Sequence, residues 1–249
     1  MKFAFPPADP VSLPIGGSDD RFPVRRIYCV GKNYADHVVE MGGDAARSEP
    51  VFFTKAAETI VQRGANIPYP PNTESLHYEV ELVVAMGPDG IFGYGVGIDM
   101  TRRDIQAKAK AKGGPWARAK NFPLAAPCSA LTPADKVDLS KAHIVLRKNG
   151  DIVQHSALAK LIWSVDEIVD YLTKDMDLQA GDLIYTGTPA GVGPVKIGDE
   201  LSGGIEGLER IRISSIEPTT IPNGLLDYMK TSHKLCRFLH VPLQSGDDT

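Results

Sequence analysis

Short apolar runs separated by turn-forming residues dominate the sequence from Arg26 onward. Runs of this length, bounded by glycine, proline and asparagine, are typical of β-strands. Asn149-Gly150 lies between two such runs and predicts a tight hairpin. The predicted strands are RIYCVG, YEVELVVAMG, the two arms of HIVLRKNGDIVQH, GDLIYTGTP and GDELSGGIEGLERIRISSI. We therefore predict an α+β fold that is mostly β, with a few short helices.

Helical spacing and the distribution of prolines suggest how the chain is organised. Ser164 with Glu167 forms a capping box before apolar residues at helical spacing, which predicts the clearest helix. Residues 1–21 are rich in proline and predict an irregular N-terminal arm. Residues 22–249 contain no obvious linker and predict a single domain. Its tail from about 224 has helical spacing and predicts a segment that covers the core or a subunit contact.

Composition narrows the classes of partner. The chain has 31 acidic and 27 basic residues without a basic stripe, so we do not expect it to bind nucleic acid. It has no secretory signal, and no apolar run approaches the roughly 18–20 residues that span a bilayer, so we expect no membrane partner. Its three scattered cysteines lack metal-ligand spacing. A soluble, cytoplasmic protein is the expectation.

Two carboxylates in an apolar strand point to a metal. Glu79 and Glu81 flank Val80, so on a strand both side chains face the same way, about 7 Å apart. Buried together they would repel each other and lose hydration, and a hard divalent cation resolves both problems. Oxygen ligands favour Mg²⁺, Mn²⁺ or Ca²⁺ over Zn²⁺. The alternative is a solvated strand face with two ordinary glutamates.

A third carboxylate follows the next predicted strand. Asp99 ends GYGVGID and is placed to complete a coordination shell with Glu79 and Glu81. On the helix predicted downstream, Arg103 and Gln106 share one face and could grip a substrate carboxylate. A solvated helix start is the alternative for Arg103 and its neighbours.

A histidine and a glutamate at helical spacing could activate water. His37 and Glu40 stand three residues apart in VGKNYADHVVEMG, so on a helix the carboxylate would orient the imidazole and raise its basicity. Flanking glycines make the segment suitable for a lid. An incidental surface pair is the competing interpretation.

Three further residues have both a functional and an ordinary interpretation. Lys120 lies in PWARAKNFP, an irregular segment between prolines, and could stabilise enolate charge or be solvated. Lys55 follows an apolar run and has the same two interpretations. Thr188 lies in the turn-rich TGTPAGVGPV, where successive N–H groups could bind a carboxylate.

Taken together and in this order, the motifs resemble those of the fumarylacetoacetate hydrolase family, in particular its short acylpyruvases and bacterial fumarylpyruvate hydrolases. The resemblance covers roughly 21–216. It is carried by YCVGKNYADHVVEMG, EPVFFTKAAETIV, HYEVELVVAMG, GYGVGIDMTRRDIQ, PWARAKNF and LIYTGTPAGVGPVKIGD. It implies rolled mixed β-sheets around a central metal site, assembled as a homodimer.

The resemblance also implies a role for each candidate residue. Glu79, Glu81 and Asp99 would hold one Mg²⁺ or Mn²⁺ per subunit. A second group would activate water and stabilise the enolate: His37, Glu40 and Lys120. A third group would contact the pyruvyl end of the substrate: Lys55, Arg103, Gln106 and Thr188.

The implied reaction is hydrolysis of the carbon–carbon bond of an acylpyruvate, with fumarate and pyruvate as products if the substrate is fumarylpyruvate. Water activated by His37 would add to the distal carbonyl, and a pyruvate enolate would leave. Oxaloacetate decarboxylation or isomerisation of a 2-hydroxymuconate-type acid is the alternative on the same site. The presence of both His37 and Glu40 favours hydrolysis. A binding module without catalysis is a third possibility, which inertness toward a panel of acylpyruvates would support.

Overall fold

The computed structural model describes residues 2–44, 48–61, 66–213 and 216–217. These residues belong to one compact unit that ends at Glu217. The helical tail predicted from about 224 lies outside the described residues.

The described residues form four α-helices and nineteen strands, many of only two or three residues. The helices are α1 Ala35–Glu40, α2 Arg103–Ala111, α3 Ala117–Lys120 and α4 Val165–Met176. The first ten strands are β1 Ser12–Pro14, β2 Arg21–Pro23, β3 Arg26–Gly31, β4 Val51–Lys55, β5 Ile60–Val61, β6 Ile67–Pro68, β7 Leu76–Tyr78, β8 Val80–Gly87, β9 Gly90–Ile98 and β10 Thr101–Arg102. The others are β11 Ala126–Pro127, β12 Thr132–Pro133, β13 His143–Lys148, β14 Asp151–Ala157, β15 Asp182–Tyr185, β16 Gly193–Pro194, β17 Leu201–Ile205, β18 Ile211–Ile213 and β19 Ile216–Glu217.

A six-stranded mixed sheet is the centre of the fold, in the order β12-β9-β8-β15-β3-β4. Only the β15–β3 pair is parallel, and the other neighbours run antiparallel. Strand β8 is buried on both faces, because Leu82 packs in one hydrophobic cluster and Val83 in another. An unbroken apolar run such as the one in this strand is typical of burial on both faces.

A four-stranded antiparallel sheet, β14-β13-β17-β18, packs across the central sheet. Ile144 and Leu146 from its strand β13 share a buried cluster with Leu82 and Val96 of the central sheet. The α4 helix covers a neighbouring part of the same face through Ile168, and its capping box at Ser164 is present as predicted. The mostly β fold with a few short helices is therefore confirmed.

Three local differences from the sequence predictions have simple causes. Residues 12–14 of the arm predicted as irregular pair with β2 as a strand, with Leu13 fully buried. The predicted YEVELVVAMG strand is interrupted at Glu79, between β7 and β8. Lys120 ends the one-turn helix α3 rather than lying in irregular chain. Each element is two to four residues long, too short to leave a periodic pattern.

Several strand ends meet at one edge of the central sheet. Val80 at the start of β8 pairs with Ile98 at the end of β9, and β15 runs antiparallel to β8 but parallel to β3. The chain therefore leaves β9, β15 and β3 beside the residues that lead into β8. No helix in the described part of the chain is long and apolar enough to cross a bilayer.

Candidate active site

Three buried carboxylates converge at this edge. Glu79 precedes β8, Glu81 lies within it, and Asp99 directly follows β9. The Asp99 N–H donates to the Glu79 carbonyl at 2.8 Å, which continues the pairing of β8 with β9. One oxygen from each carboxylate lies within 4.8 Å of the others. The exposed fractions are only 5%, 2% and 0%, so the three charges share a nearly dry volume.

Cationic side chains surround two of these carboxylates. The Lys120 ammonium donates to Glu79 Oε2 at 2.7 Å and to Asp99 Oδ2 at 2.6 Å, and Arg103 pairs with Glu79 Oε1. Burial alone would raise the pKa of Glu79, but Lys120 and Arg103 outweigh it and hold that pKa well below its usual range. Burial likewise works to lower the pKa of Lys120, yet Asp99 and Glu79 raise it. Glu79 and Lys120 are therefore both charged.

Neither these cations nor any other among the described residues forms an ion pair with Glu81. Its Oε2 accepts one hydrogen bond, from the N–H of Gly187 at 2.8 Å. Burial, followed by the charges of Asp99 and Glu79, raises the pKa of Glu81 well above its ordinary value. An ionised Glu81 therefore needs a further positive charge.

The donor set suits a hard divalent cation. Asp99 Oδ1 is buried and accepts no hydrogen bond from the described residues, although the Lys55 ammonium lies 2.8 Å away. An acceptor with free lone pairs beside an unneutralised Glu81 is what a cation would complete. Three carboxylate oxygens match Mg²⁺ or Mn²⁺ better than Zn²⁺.

The predicted His37–Glu40 pair forms on α1. Its members are three residues apart on one helical face, and His37 Nδ1 lies 3.1 Å from Glu40 Oε2. Glu40 Oε1 also accepts a hydrogen bond of 3.0 Å from the N–H of Gly191. Since His37 is only 8% exposed, its ring is directed inward. Glu40 therefore holds the ring from one side and the turn after β15 from the other.

The polar groups of that turn form hydrogen bonds within the protein. The Thr188 hydroxyl donates to the Val80 carbonyl at 2.8 Å and accepts from Gln154 at 2.9 Å. The Gly187 N–H is used by Glu81, and a side chain at that left-handed position (φ 101°) would meet Asn33. The Thr188 hydroxyl has one proton to donate, and Val80 receives it.

One cavity of about 300 Å³ collects most of the predicted residues. From the predicted site it contains His37, Glu79, Glu81, Asp99, Arg103, Gln106, Lys120 and Thr188. Arg103 also donates to Gln106 Oε1 at 2.7 Å, which leaves the Gln106 NH₂ group as the donor that this side chain can offer a ligand. His37 and the three carboxylates thus face one common volume.

Lys55 is placed differently from its prediction as a substrate contact. It lies outside the residues that line the cavity, with its ammonium fully buried beside Asp99. That ammonium donates to the backbone oxygens of Met100, at 3.3 Å, and Lys120. The structure thus places the Lys55 ammonium against Asp99, and its predicted contact with substrate stays a prediction.

Two groups of site residues were missed from the sequence. Gln154, on β14, accepts from the Val80 N–H at 3.0 Å and donates to the Thr188 hydroxyl and the Pro189 carbonyl. No local pattern marks it, because its partners are more than thirty residues away. The second group consists of residues that line the cavity, namely Lys32, Phe53, Lys110 and Trp116. Of these, Lys110 could have been found, since it follows Arg103 by seven residues on one helical face.

Known proteins are similar to this chain over the region that contains the candidate site. A family model described as fumarylacetoacetate (FAA) hydrolase C-terminal matches residues 26–214. A fumarylpyruvate hydrolase of Ralstonia sp. is 42% identical over 182 residues, covering 69% of this chain and 95% of the relative. The mitochondrial oxaloacetate tautomerase FAHD1 of Pongo abelii is 42% identical over 206 residues, covering 78% and 93%.

A solved structure has the same fold. It is the crystal structure of fumarylpyruvate hydrolase from Pseudomonas aeruginosa in complex with Mn²⁺ and pyruvate, which is 43% identical with a TM-score of 0.84. The match covers 87% of this chain and all of that one. Every candidate site residue lies within the region matched by the family model.

Proposed function

Because this chain belongs to the fumarylacetoacetate hydrolase family, we propose that it hydrolyses the carbon–carbon bond of an acylpyruvate. Fumarylpyruvate, cleaved to fumarate and pyruvate, is the substrate that we favour. The observation that carries this proposal is that His37, which Glu40 contacts from behind, and the carboxylate triad line one cavity. Hydrolysis needs both an activated water and a means to stabilise the leaving enolate, and the two groups provide them.

The proposed cofactor is one Mg²⁺ or Mn²⁺ per subunit, held by Glu79, Glu81 and Asp99. When bound, such an ion supplies a Lewis acid that polarises the α-keto acid and stabilises developing negative charge. The proposal is supported by the dry, oxygen-only donor set and by the Mn²⁺ in the similar P. aeruginosa enzyme.

His37 is the proposed general base. Its Nδ1 faces Glu40, so Nδ1 carries the proton and Nε2 is the basic nitrogen that is available to water. Water deprotonated there adds to the distal carbonyl, and the carbon–carbon bond breaks as the tetrahedral intermediate collapses. Glu40 keeps the ring oriented and stabilises the imidazolium that forms.

The remaining residues would bind the substrate and stabilise the enolate. Lys120 would place its positive charge against the enolate oxygen of the leaving pyruvate. Arg103 and the amide group of Gln106 would hold the pyruvyl carboxylate. Thr188 would contribute its backbone rather than its hydroxyl, which is already bonded to Val80. Lys55 would act through Asp99, by holding its positive charge beside that carboxylate.

Oxaloacetate tautomerisation is a second candidate, since relatives with that name are as similar to this chain as the fumarylpyruvate hydrolase is. Decarboxylation of oxaloacetate, or isomerisation of a 2-hydroxymuconate-type acid, would use the same enolate-stabilising residues. Decarboxylation needs no activated water, so the His37–Glu40 pair favours hydrolysis over it, whereas tautomerisation and isomerisation move a proton that His37 could also carry. Parallel assays of fumarylpyruvate and oxaloacetate on one preparation discriminate between them.

The test of the proposal is a substrate panel with and without a chelator. We expect Mn²⁺-dependent release of pyruvate from fumarylpyruvate. The His37→Ala variant should lose activity about a hundredfold or more while binding Mn²⁺ normally in calorimetry. His155→Ala, on the exposed side of β14, is the matched control. Near-normal turnover of a folded His37→Ala variant would refute the assigned role.

We also propose that the protein is a homodimer, as the resemblance implies. Light scattering of the full chain measures the oligomeric state directly. A monomer over the working concentration range would contradict this assignment without affecting the proposed chemistry.

A further inference from the structure

The cavity extends beyond the carboxylate centre along one face of α2. Arg103, Gln106 and Lys110 lie three and four residues apart, so all three side chains leave the helix on the same side. Arg103 and Gln106 are near the buried end, whereas Lys110 is exposed at the other end, about 10 Å further along the helix axis. All three line the cavity.

In the described part of the chain, Lys110 and Lys32 are two cations of the cavity lining that form no ion pair. The lining of the cavity contains only three carboxylates, and within the described ranges neither lysine lies within ion-pair distance of any carboxylate. Lys32 also has a left-handed backbone (φ 61°), which is unusual for a residue with a side chain. Burial and then the neighbouring charge of Arg103 lower the pKa of Lys110. An anion between these cations would relieve that repulsion.

An apolar wall connects the two ends of the cavity. The Lys120 ammonium lies 5.0 Å from the centre of the Phe53 ring, and the Lys110 ammonium lies 5.1 Å from the centre of the Trp116 ring. The two rings are themselves 5.8 Å apart. The cavity therefore has a polar pyruvyl end, an aromatic middle and a second positive end.

We propose that Lys110, assisted by Lys32, binds a carboxylate at the far end of the acyl group, so that the preferred substrates are acylpyruvates with a second, terminal carboxylate. This inference rests on the proposed acylpyruvate hydrolysis. The length agrees with it. The six carbon–carbon bonds of fumarylpyruvate, each about 1.5 Å, zigzag over roughly 8 Å between the two carboxyl carbons. Its unsaturated middle would lie along Phe53 and Trp116.

The experiment compares fumarylpyruvate with acetylpyruvate, whose acyl group is neutral. Lys110→Met keeps the length of the side chain and removes its charge. Lys108→Met is the matched control, because Lys108 is exposed on the same helix and lies outside the cavity lining. We expect Lys110→Met to raise KM for fumarylpyruvate about tenfold with little change in kcat. KM for acetylpyruvate should not change, and Lys32→Met combined with Lys110→Met should increase the effect.

A binding measurement separates this inference from the proposed reaction. Calorimetry of the Mn²⁺-loaded full chain would compare fumarate with crotonate, which lacks the second carboxylate. If the wild type hydrolyses neither acylpyruvate, yet Lys110→Met weakens fumarate binding alone, the reaction is wrong and the anion site stands. If Lys110→Met changes both substrates and both acids equally, or behaves as Lys108→Met does, the anion site is refuted.

Discussion

Glu40 Oε1 accepts a hydrogen bond of 3.0 Å from the backbone N–H of Gly191, a residue 151 positions further along the chain. This bond joins the helix that carries His37 to the turn whose Gly187 N–H contacts Glu81. Gly191 has φ 100°, and a side chain there would collide with the Val153 carbonyl. The candidate base is therefore positioned relative to the carboxylate triad through a turn that depends on glycine.

Replacing Glu40 tests this connection. Glutamate has two acceptor oxygens, one for His37 and one for Gly191, whereas glutamine has only one. We expect Glu40→Gln to lower kcat by about tenfold to a hundredfold, because His37 loses its orientation or the helix loses the turn. Steady-state kinetic assays measure kcat, and calorimetry should show unchanged Mn²⁺ affinity.

The control for Glu40→Gln is Asp36→Asn on the same helix. Asp36 is exposed and pairs only with exposed Lys160 in the described structure, so its charge contributes little. Equal activity of the two variants would remove Glu40 from the mechanism.

Glu81 should make the metal-free protein less stable at higher pH. Burial, together with Asp99 and Glu79, raises its pKa well above the ordinary 4.5. Between these two values the folded chain retains a proton that the unfolded chain has released, so stability falls as pH rises above 4.5 and through the folded-state pKa. Glu81→Gln removes this titration. With chelator present, we expect its Tm to exceed that of the wild type at pH near 8, with a difference that shrinks toward pH near 5.

Added Mn²⁺ should reverse this order. The wild type gains Tm, most strongly at the higher pH where no proton competes for Glu81, while Glu81→Gln gains little. Glu58→Gln, which changes an exposed carboxylate, should behave as the wild type does. Parallel Tm curves for wild type and Glu81→Gln with pH would show that Glu81 is ionised without the metal.

Gln154 should position the site without contacting the substrate. Its three hydrogen bonds join the Val80 N–H, which lies between the two glutamates, to Thr188 and Pro189. Gln154→Leu leaves these groups buried without partners, so we expect a loss of about 1–3 kcal/mol or more in unfolding free energy. Weaker Mn²⁺ binding should accompany it. His155→Ala on the exposed side of the same strand is the control, and an unchanged Mn²⁺ affinity in Gln154→Leu would contradict the role.

Local patterns predicted the elements that are decided locally. The Asn149-Gly150 turn has both residues in the left-handed region, as a tight hairpin requires, and the Ser164 capping box begins its helix. The one-turn α3 and the pairing of residues 12–14 with β2 were missed. They are four and three residues long, too short to show a periodic pattern.

The residues of the site also fall into those that the local sequence predicts and those that it does not. Glu79, Glu81 and Asp99 could be predicted because two apolar strands carried carboxylates that burial would penalise. The position of Lys55 could not, because nothing in VFFTKAAET indicates that its ammonium meets Asp99 and two backbone oxygens. Gln154 could not be predicted for a related reason. Its partners come together only because the β13–β14 hairpin packs on the turn after β15.

Gly97, in strand β9, lies where the neighbouring side chains leave no room for a side chain. It pairs with Glu81 across β8 and β9, and a side chain there would overlap the Tyr185 ring and Val83. The Tyr185 hydroxyl donates to the carbonyls of Ala126 and Pro127, at 3.3 and 3.1 Å, so the ring cannot readily move aside. We expect Gly97→Ala to destabilise the protein by about 1–3 kcal/mol in urea unfolding. It should also weaken Mn²⁺ binding, because the displaced strand carries Asp99.

Gly114→Ala provides the matched comparison for Gly97→Ala. Its nearest neighbour for an added methyl group is the Ala109 carbonyl at 3.7 Å, an ordinary contact, so stability and Mn²⁺ affinity should stay close to those of the wild type. If Gly97→Ala unfolds at the same urea concentration as Gly114→Ala, the strand can shift without strain. The close approach of β9 to Tyr185 would then not be what holds Asp99 beside the two glutamates.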